Sequence, residues 1–182
     1  MGTFNNYRKG DGSKVGGKIS SLGELLAAEV PGSPGFALEV EGHTYFLDHN
    51  PDLRYFMAAE LENMDSADEA EAMVHSERIR HAIMAASLPD VIVREISDGY
   101  KLLGPGAVVA VRSSATAEDL PDNAFAGQQD TVLGVRGVQN ICAAILKCYA
   151  SLFNYRAYLY RRENGIVAGS PPSSQMGSWP VG

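Results

Sequence analysis

Cysteine, basic charge, long apolar runs and metal-ligand patterns are all scarce in this sequence. Cys142 and Cys148 are the only cysteines among 182 residues. On one helix their six-residue offset turns them about 240° apart, which forbids a bridge and predicts reduced, buried thiols. Lys and Arg number 15 against 22 Asp and Glu, a formal charge of -7. A nucleic-acid or anionic-membrane surface needs an excess of cations on one face, so neither partner is expected, and any phosphate ligand must be held by local features. No apolar run approaches the ~20 residues of a membrane span. Met1 to Lys14 is polar and lacks the apolar centre of a secretion signal, so the expected location is cytoplasmic. His43, His49, His75 and His81 are scattered, with no paired cysteines or tight His/Glu cluster beside them, which speaks against a protein-built zinc site.

What is present is the make-up of a globular chain of about one domain, 45% hydrophobic and 20% charged. Residues 1–14 carry little apolar content and read as a flexible, weakly packed arm. Ser21 and Glu24 have the spacing of a capping box opening a helix with Leu22, Leu25 and Leu26 inward, so that Lys18 of Gly16-Gly17-Lys18 would sit just ahead of a helix N-terminus. After Pro31 to Gly35, Phe36 to Val40 and Tyr45 to Leu47 are expected as short strands around a turn at Glu41-Gly42. Ser66 and Glu69 repeat the capping-box spacing ahead of a helix to about Ala86. Pro89 starts another, with Ile92, Ile96, Tyr100 and Leu103 on one face, ended by Gly104-Pro105-Gly106. Ala107 to Val111 is a short β-branched run, as expected of a strand buried on both faces, and delivers Arg112 at its polar end. Ser113 to Thr131 has no sustained periodicity and reads as a long loop with a short extended piece at its end. Val138, Ile141, Ile145, Tyr149 and Leu152 mark one long helix extending past Arg156 to Tyr160. Residues 167–182 have the composition of a disordered tail.

Chemistry is most legible between Val109 and Thr131. A guanidinium leaving a buried strand is pre-aimed and offers paired planar donors that match phosphate oxygens. Ser113, Ser114 and Thr116 add hydroxyl donors, and Gly127 permits close backbone approach, so Gly127, Gln128, Gln129, Asp130 and Thr131 could fold over a triphosphate. A salt bridge from Arg112 to Glu118 or Asp119 is the alternative reading of that arginine. Lys18 could equally be a solvated lysine on a flexible turn, but near a helix N-terminus it adds charge where anions are already favoured. The Walker-type phosphate loop is absent. Tyr149, Phe153, Tyr155, Tyr158 and Tyr160 read as helix packing rather than base stacking. The carboxylates Asp65, Asp68, Glu69 and Glu71 read as complements to a helix dipole rather than a cation site.

Two stretches carry a resemblance. Val111 to Pro121 reads Val-Arg-Ser-Ser-Ala-Thr-Ala-Glu-Asp-Leu-Pro, Phe125 to Thr131 reads Phe-Ala-Gly-Gln-Gln-Asp-Thr, and Cys148 to Arg161 continues the match. Val15 to Leu25 reads Val-Gly-Gly-Lys-Ile-Ser-Ser-Leu-Gly-Glu-Leu, with Pro-Gly-Phe-Ala from Pro34. In this order they resemble the first part of the nucleotide domain of the phosphoenolpyruvate synthase (pyruvate, water dikinase) family, with pyruvate phosphate dikinase and rifampicin phosphotransferase. The resemblance implies an α+β fold, a mixed sheet flanked by helices forming the first lobe of an ATP-grasp-like domain over residues 15–166. It implies Lys18 and Arg112 on ATP phosphates, in a catalytic as well as a binding role, with Ser113, Ser114, Thr116 and Gly127 to Thr131 around them. It also implies ATP and Mg2+ as cofactors, with the metal ligands expected mainly outside this chain, and a phosphoryl group passed to a histidine on a separate domain. The second half of the nucleotide domain, the phosphohistidine domain and the pyruvate-binding barrel are not in this sequence, so a further subunit or chain carrying them is the expected partner. Phenylphosphate synthase is a relative divided over subunits in this way. The alternative is a non-catalytic nucleotide-sensing or interaction module that keeps only the first lobe.

Overall fold

The structure, a computed structural model, describes residues 1–112, 131–163 and 179–181. In chain order the elements are β1 (Gly2–Thr3), α1 (Gly12–Ala27), β2 (Phe36–Leu38), α2 (Val40–Asp48), α3 (Pro51–Ser66), α4 (Glu69–Ala85), α5 (Asp90–Leu102), β3 (Val109–Arg112), β4 (Thr131–Val135), α6 (Val138–Ser151), α7 (Tyr155–Glu163) and β5 (Trp179–Val181). The sheet runs β1-β2-β5-β3-β4. Helices and sheet give the expected α+β class. All the strand pairs among the described residues are antiparallel, not mixed as expected. No helix among them is long and apolar enough to cross a membrane.

The larger core lies between one face of the sheet and the helices. Phe36, Leu38, Val109 and Val111 meet Phe46, Ile79, Ile83, Ile96, Ile141, Ile145 and Tyr149 there. α5 shows why its sequence docks as it does. Ile92, Ile96 and Gly99 recur at helical spacing and are buried. A Cβ at Gly99 would stand 2.7 Å from the Phe36 ring, so the missing side chain lets the helix lie directly on β2. Gly104, at φ 96°, closes the end of α5.

A smaller core sits on the opposite face of β2, where Ala37 meets Phe4, Tyr7, Val15 and Ile19. It corrects the expectation for residues 1–14. These are not weakly packed: Gly2 and Thr3 pair with Ala37 and Phe36, and Phe4 and Tyr7 are buried. The Tyr7 hydroxyl donates to Glu39 Oε1 at 3.1 Å, and burial together with that carboxylate pushes the phenol well above its usual range.

Other boundaries differ too. Tyr45 to Leu47 lie in α2 rather than a strand, because Val40, His43, Phe46 and Leu47 recur at helical spacing and all face inward. α1 begins at Gly12, so Ser21 is inside it and caps nothing. α4 is capped by Asp68, whose carboxylate accepts from Glu71 N–H at 2.9 Å; Ser66 ends the preceding helix instead. The single long helix expected after Val138 is α6 and α7, separated at 152–154. Asn154 Oδ1 accepts from Ala157 N–H at 2.7 Å, capping α7, while Ser76 on α4 donates to the Phe153 carbonyl at 2.7 Å and satisfies the break. Trp179–Val181, expected within a disordered tail, pairs with both β2 and β3; the rest of 167–182 lies outside the described residues. Cys148 is buried and Cys142 half-buried, both unbridged as expected.

Candidate functional site

β3 positions Arg112. Val109 and Val111 are buried in the larger core, Ala110 is half-buried, and Val108 and Arg112 are exposed. The strand is therefore covered on one face, not on both as its uninterrupted apolar run suggested. Thr131 is the register partner of Arg112 and is also exposed, so the two ends of the 113–130 connection leave the sheet side by side. Ser113, Ser114, Thr116, Gly127, Gln128, Gln129 and Asp130 lie outside the described residues, as do Glu118 and Asp119.

The open face has a consistent composition. Because side chains alternate across a strand, Val108, Ala110 and Arg112 share one side of β3, joined on β4 by Thr131 and Leu133. Leu133 is 74% and Val108 51% exposed. An apolar strip beside a guanidinium and a threonine hydroxyl suits a ligand that is flat and apolar at one end and anionic at the other. Sequence reasoning missed the strip. Its signal was there, in the run Ala107-Val108-Val109-Ala110-Val111, but a short apolar run does not say which side is covered.

Lys18 approaches from α1. Gly16 interrupts that helix at φ 74°, ψ 160°, a region essentially reserved for glycine. The helix restarts after it, placing Lys18 inside the first turn of the second segment rather than ahead of it, at the positive end of that segment's dipole. Lys18 is exposed, and its neighbour Ile19 packs with Ala37 in the smaller core. The Val181 backbone is the register partner of both Phe36 and Val111, and the side chains of Phe36 and Val111 lie on the larger-core side of the sheet. Arg112, one residue on from Val111, faces the other way, toward the side of Ala37 and α1. With one strand between β2 and β3, the separation of those strands is about 10 Å. The structure thus puts the two expected phosphate contacts, far apart in sequence, on the same side of the sheet.

Gly16→Ala is expected to cost about 1–3 kcal/mol of stability, since alanine has no comfortable place at that φ and ψ. Urea unfolding of the purified variant measures it, and an unchanged midpoint would contradict the special role of the joint.

Among the described residues no group of three or more His, Cys, Asp or Glu could hold a metal ion. Of the acidic set expected to serve a helix dipole, Asp68 caps α4 and Glu69 and Glu71 lie in its first turn, whereas Asp65 stands in the last turn of α3 and accepts from the Tyr158 hydroxyl at 2.8 Å. Tyr149, Phe153 and Tyr158 are buried and Tyr155 half-buried, as expected of packing residues.

The candidate site is thus an open sheet face with an apolar strip and a strand-end arginine, on the same side of the sheet as a lysine at a helix start. Residues 12–173 match the family described as pyruvate phosphate dikinase, AMP/ATP-binding domain, and the chain belongs to that family. It is 40% identical over 168 residues to the probable phosphoenolpyruvate synthase of Methanothermobacter thermautotrophicus, covering 90% of this chain and 24% of that protein. It is 40% identical over 174 residues to the phosphoenolpyruvate synthase of Neisseria meningitidis serogroup B, covering 90% of this chain and 22% of that protein. Rifampicin phosphotransferase of Bacillus subtilis is 40% identical over 155 residues, covering 85% of this chain and 18% of that protein. The chain spans a quarter or less of the length of these relatives.

Proposed function

We propose that this chain is the ATP-binding portion of a phosphoenolpyruvate synthase-like phosphotransferase, contributing to transfer of a phosphoryl group from ATP to a histidine on another domain or chain. The observation that carries the reading is the placement of Arg112 and Lys18 on one side of the sheet, within the matched family region. Phosphoryl transfer asks a protein mainly to position the phosphates and neutralise developing charge, and a guanidinium and an ammonium do both. The strip of Val108, Ala110 and Leu133 would take the base, with the phosphates directed toward Arg112, Thr131 and Lys18. Ser113, Ser114, Thr116 and Gly127 to Asp130, joining the two strand ends, would close over them. Mg2+ would enter with ATP. Its ligands would be contributed mainly from outside this chain.

The test is a calorimetric titration of the chain with magnesium-ATP. Saturable binding is expected, weakened about tenfold or more by Arg112→Ala and by Lys18→Ala, because each removes a charge-assisted hydrogen bond worth about 1.5–3 kcal/mol. Adding a chain that carries the phosphohistidine domain should then convert binding into ATP consumption. No weakening by either change in folded variants would overturn the site.

A further inference from the structure

On the far edge of the sheet lies a second feature that shares only Leu133 with the ATP reading. β4 is the terminal strand in the described sheet order. A groove of about 290 Å³ lies between β4 and α6, lined by residues 132–135 of the strand and by Arg136, Asn140, Ala143, Ala144 and Lys147. Two alanines keep the helix wall low. Gly134 keeps the strand wall low as well, since it has φ 70° and a Cβ there would meet nothing within 4 Å. Gly134 and Leu133 oppose Ala110 where the β3–β4 register shifts, a bulge that turns the strand outward.

The charge of this groove runs against that of the chain. Several cations elsewhere are matched by a carboxylate: Lys14 with Asp11, Arg54 with Asp48, Arg80 with Glu77 and Lys101 with Asp98. Arg136 and Lys147 form no ion pair among the described residues, and no carboxylate lines the groove. Asn140 and Lys147 are about 10 Å apart along α6, the reach of three residues of extended chain. A strand edge offers unpaired backbone groups that an added strand would satisfy, while cations at both ends select its charge.

We infer that the β4–α6 groove docks an extended acidic segment of polypeptide, laid along β4 with its carboxylates at Arg136 and Lys147. The relatives are about four times longer or more, so further polypeptide accompanies this domain in them.

The test titrates the chain into a fluorescein-labelled peptide of alternating valine and glutamate, with a valine–lysine peptide for comparison. Saturable binding of the acidic peptide is expected, with the lysine peptide at least tenfold weaker. Amide exchange should slow across Thr131–Val135. Arg136→Glu with Lys147→Glu should weaken the acidic peptide at least tenfold while leaving magnesium-ATP binding unchanged. Should that double variant not fold, the peptide comparison on the unaltered chain decides alone. Equal binding of both peptides overturns the inference. So does displacement by inorganic phosphate without slowed exchange, which would mark a small-anion site only. Self-association of the chain that the peptide cannot compete with would assign the groove to a second copy instead.

Discussion

Gly23→Ala is expected to destabilise the chain by about 3 kcal/mol, at the upper end of what overpacking usually costs. The glycine lies in α1 where the opening segment crosses it. An added Cβ would stand 2.2 Å from the Tyr7 carbonyl oxygen and 2.7 Å from that of Phe4. Both obstacles are backbone, so no rotamer change relieves them. The segment cannot simply lift away. Phe4 N–H donates to the Gly35 carbonyl at 3.1 Å, Gly2 and Thr3 pair with β2, and the Phe4 and Tyr7 side chains are buried. Relief therefore requires undocking the smaller core or displacing α1, which carries Lys18. Gly42→Ala is the comparison. Its Cβ would meet Leu38 at an ordinary 3.8 Å, and alanine is the better helix former, so that variant is expected to gain stability by a few tenths to about 1 kcal/mol. Urea unfolding of both reads the difference, and equal midpoints would show that residues 1–14 do not press on α1.

Acid is expected to weaken the fold through one residue before the carboxylates titrate. His43 on α2 is 2% exposed, stands edge-on to Tyr149 at 4.6 Å between ring centroids, and its Nε2 has no hydrogen-bond partner among the described residues. Burial without compensation pushes its pKa down to about 3, from 6.5 in the unfolded chain. The unfolded state therefore binds the proton more readily between those values. Stability is fully present above pH 6.5 and is lost as pH falls below it, at about 1.4 kcal/mol per unit. At pH 5 the loss is about 2 kcal/mol. His43→Leu should flatten the curve between pH 6.5 and 5, a range in which ordinary carboxylates stay ionised. An equally steep curve in a folded variant would assign the effect elsewhere.

Much of the candidate site was legible in the sequence because the residue types that phosphate chemistry asks for stand in short local runs. Gly16-Gly17-Lys18 and the Val-Arg-Ser-Ser run from Val111 are short, and each was readable without knowing what lay beside it. Their shared side of the sheet was not. That depends on the register of Phe36 against Val181 and Val181 against Val111, which joins three segments far apart in the chain.

The helices divide in the same way. α5 was readable from its period, its proline start and its glycine stop, because all three act within a few residues. α2 and α3 were not: Tyr45-Phe46-Leu47 has strand propensity, and only packing against Tyr149 and Ile79 in the larger core makes a helix the better burial. The break between α6 and α7 likewise rests on Ser76, contributed by a helix far back in the chain.

By itself, then, the sequence determined the family, the α+β class and the helices whose caps and periods are local, and it singled out Lys18 and Arg112 as candidates. The tertiary structure alone decided which face of β3 stays open, that the first fourteen residues pack, where α1 breaks and which edge of the sheet carries unmatched positive charge. The physical reason is that periodicity specifies that a face is apolar, whereas only the docking of distant elements settles whether that face is covered.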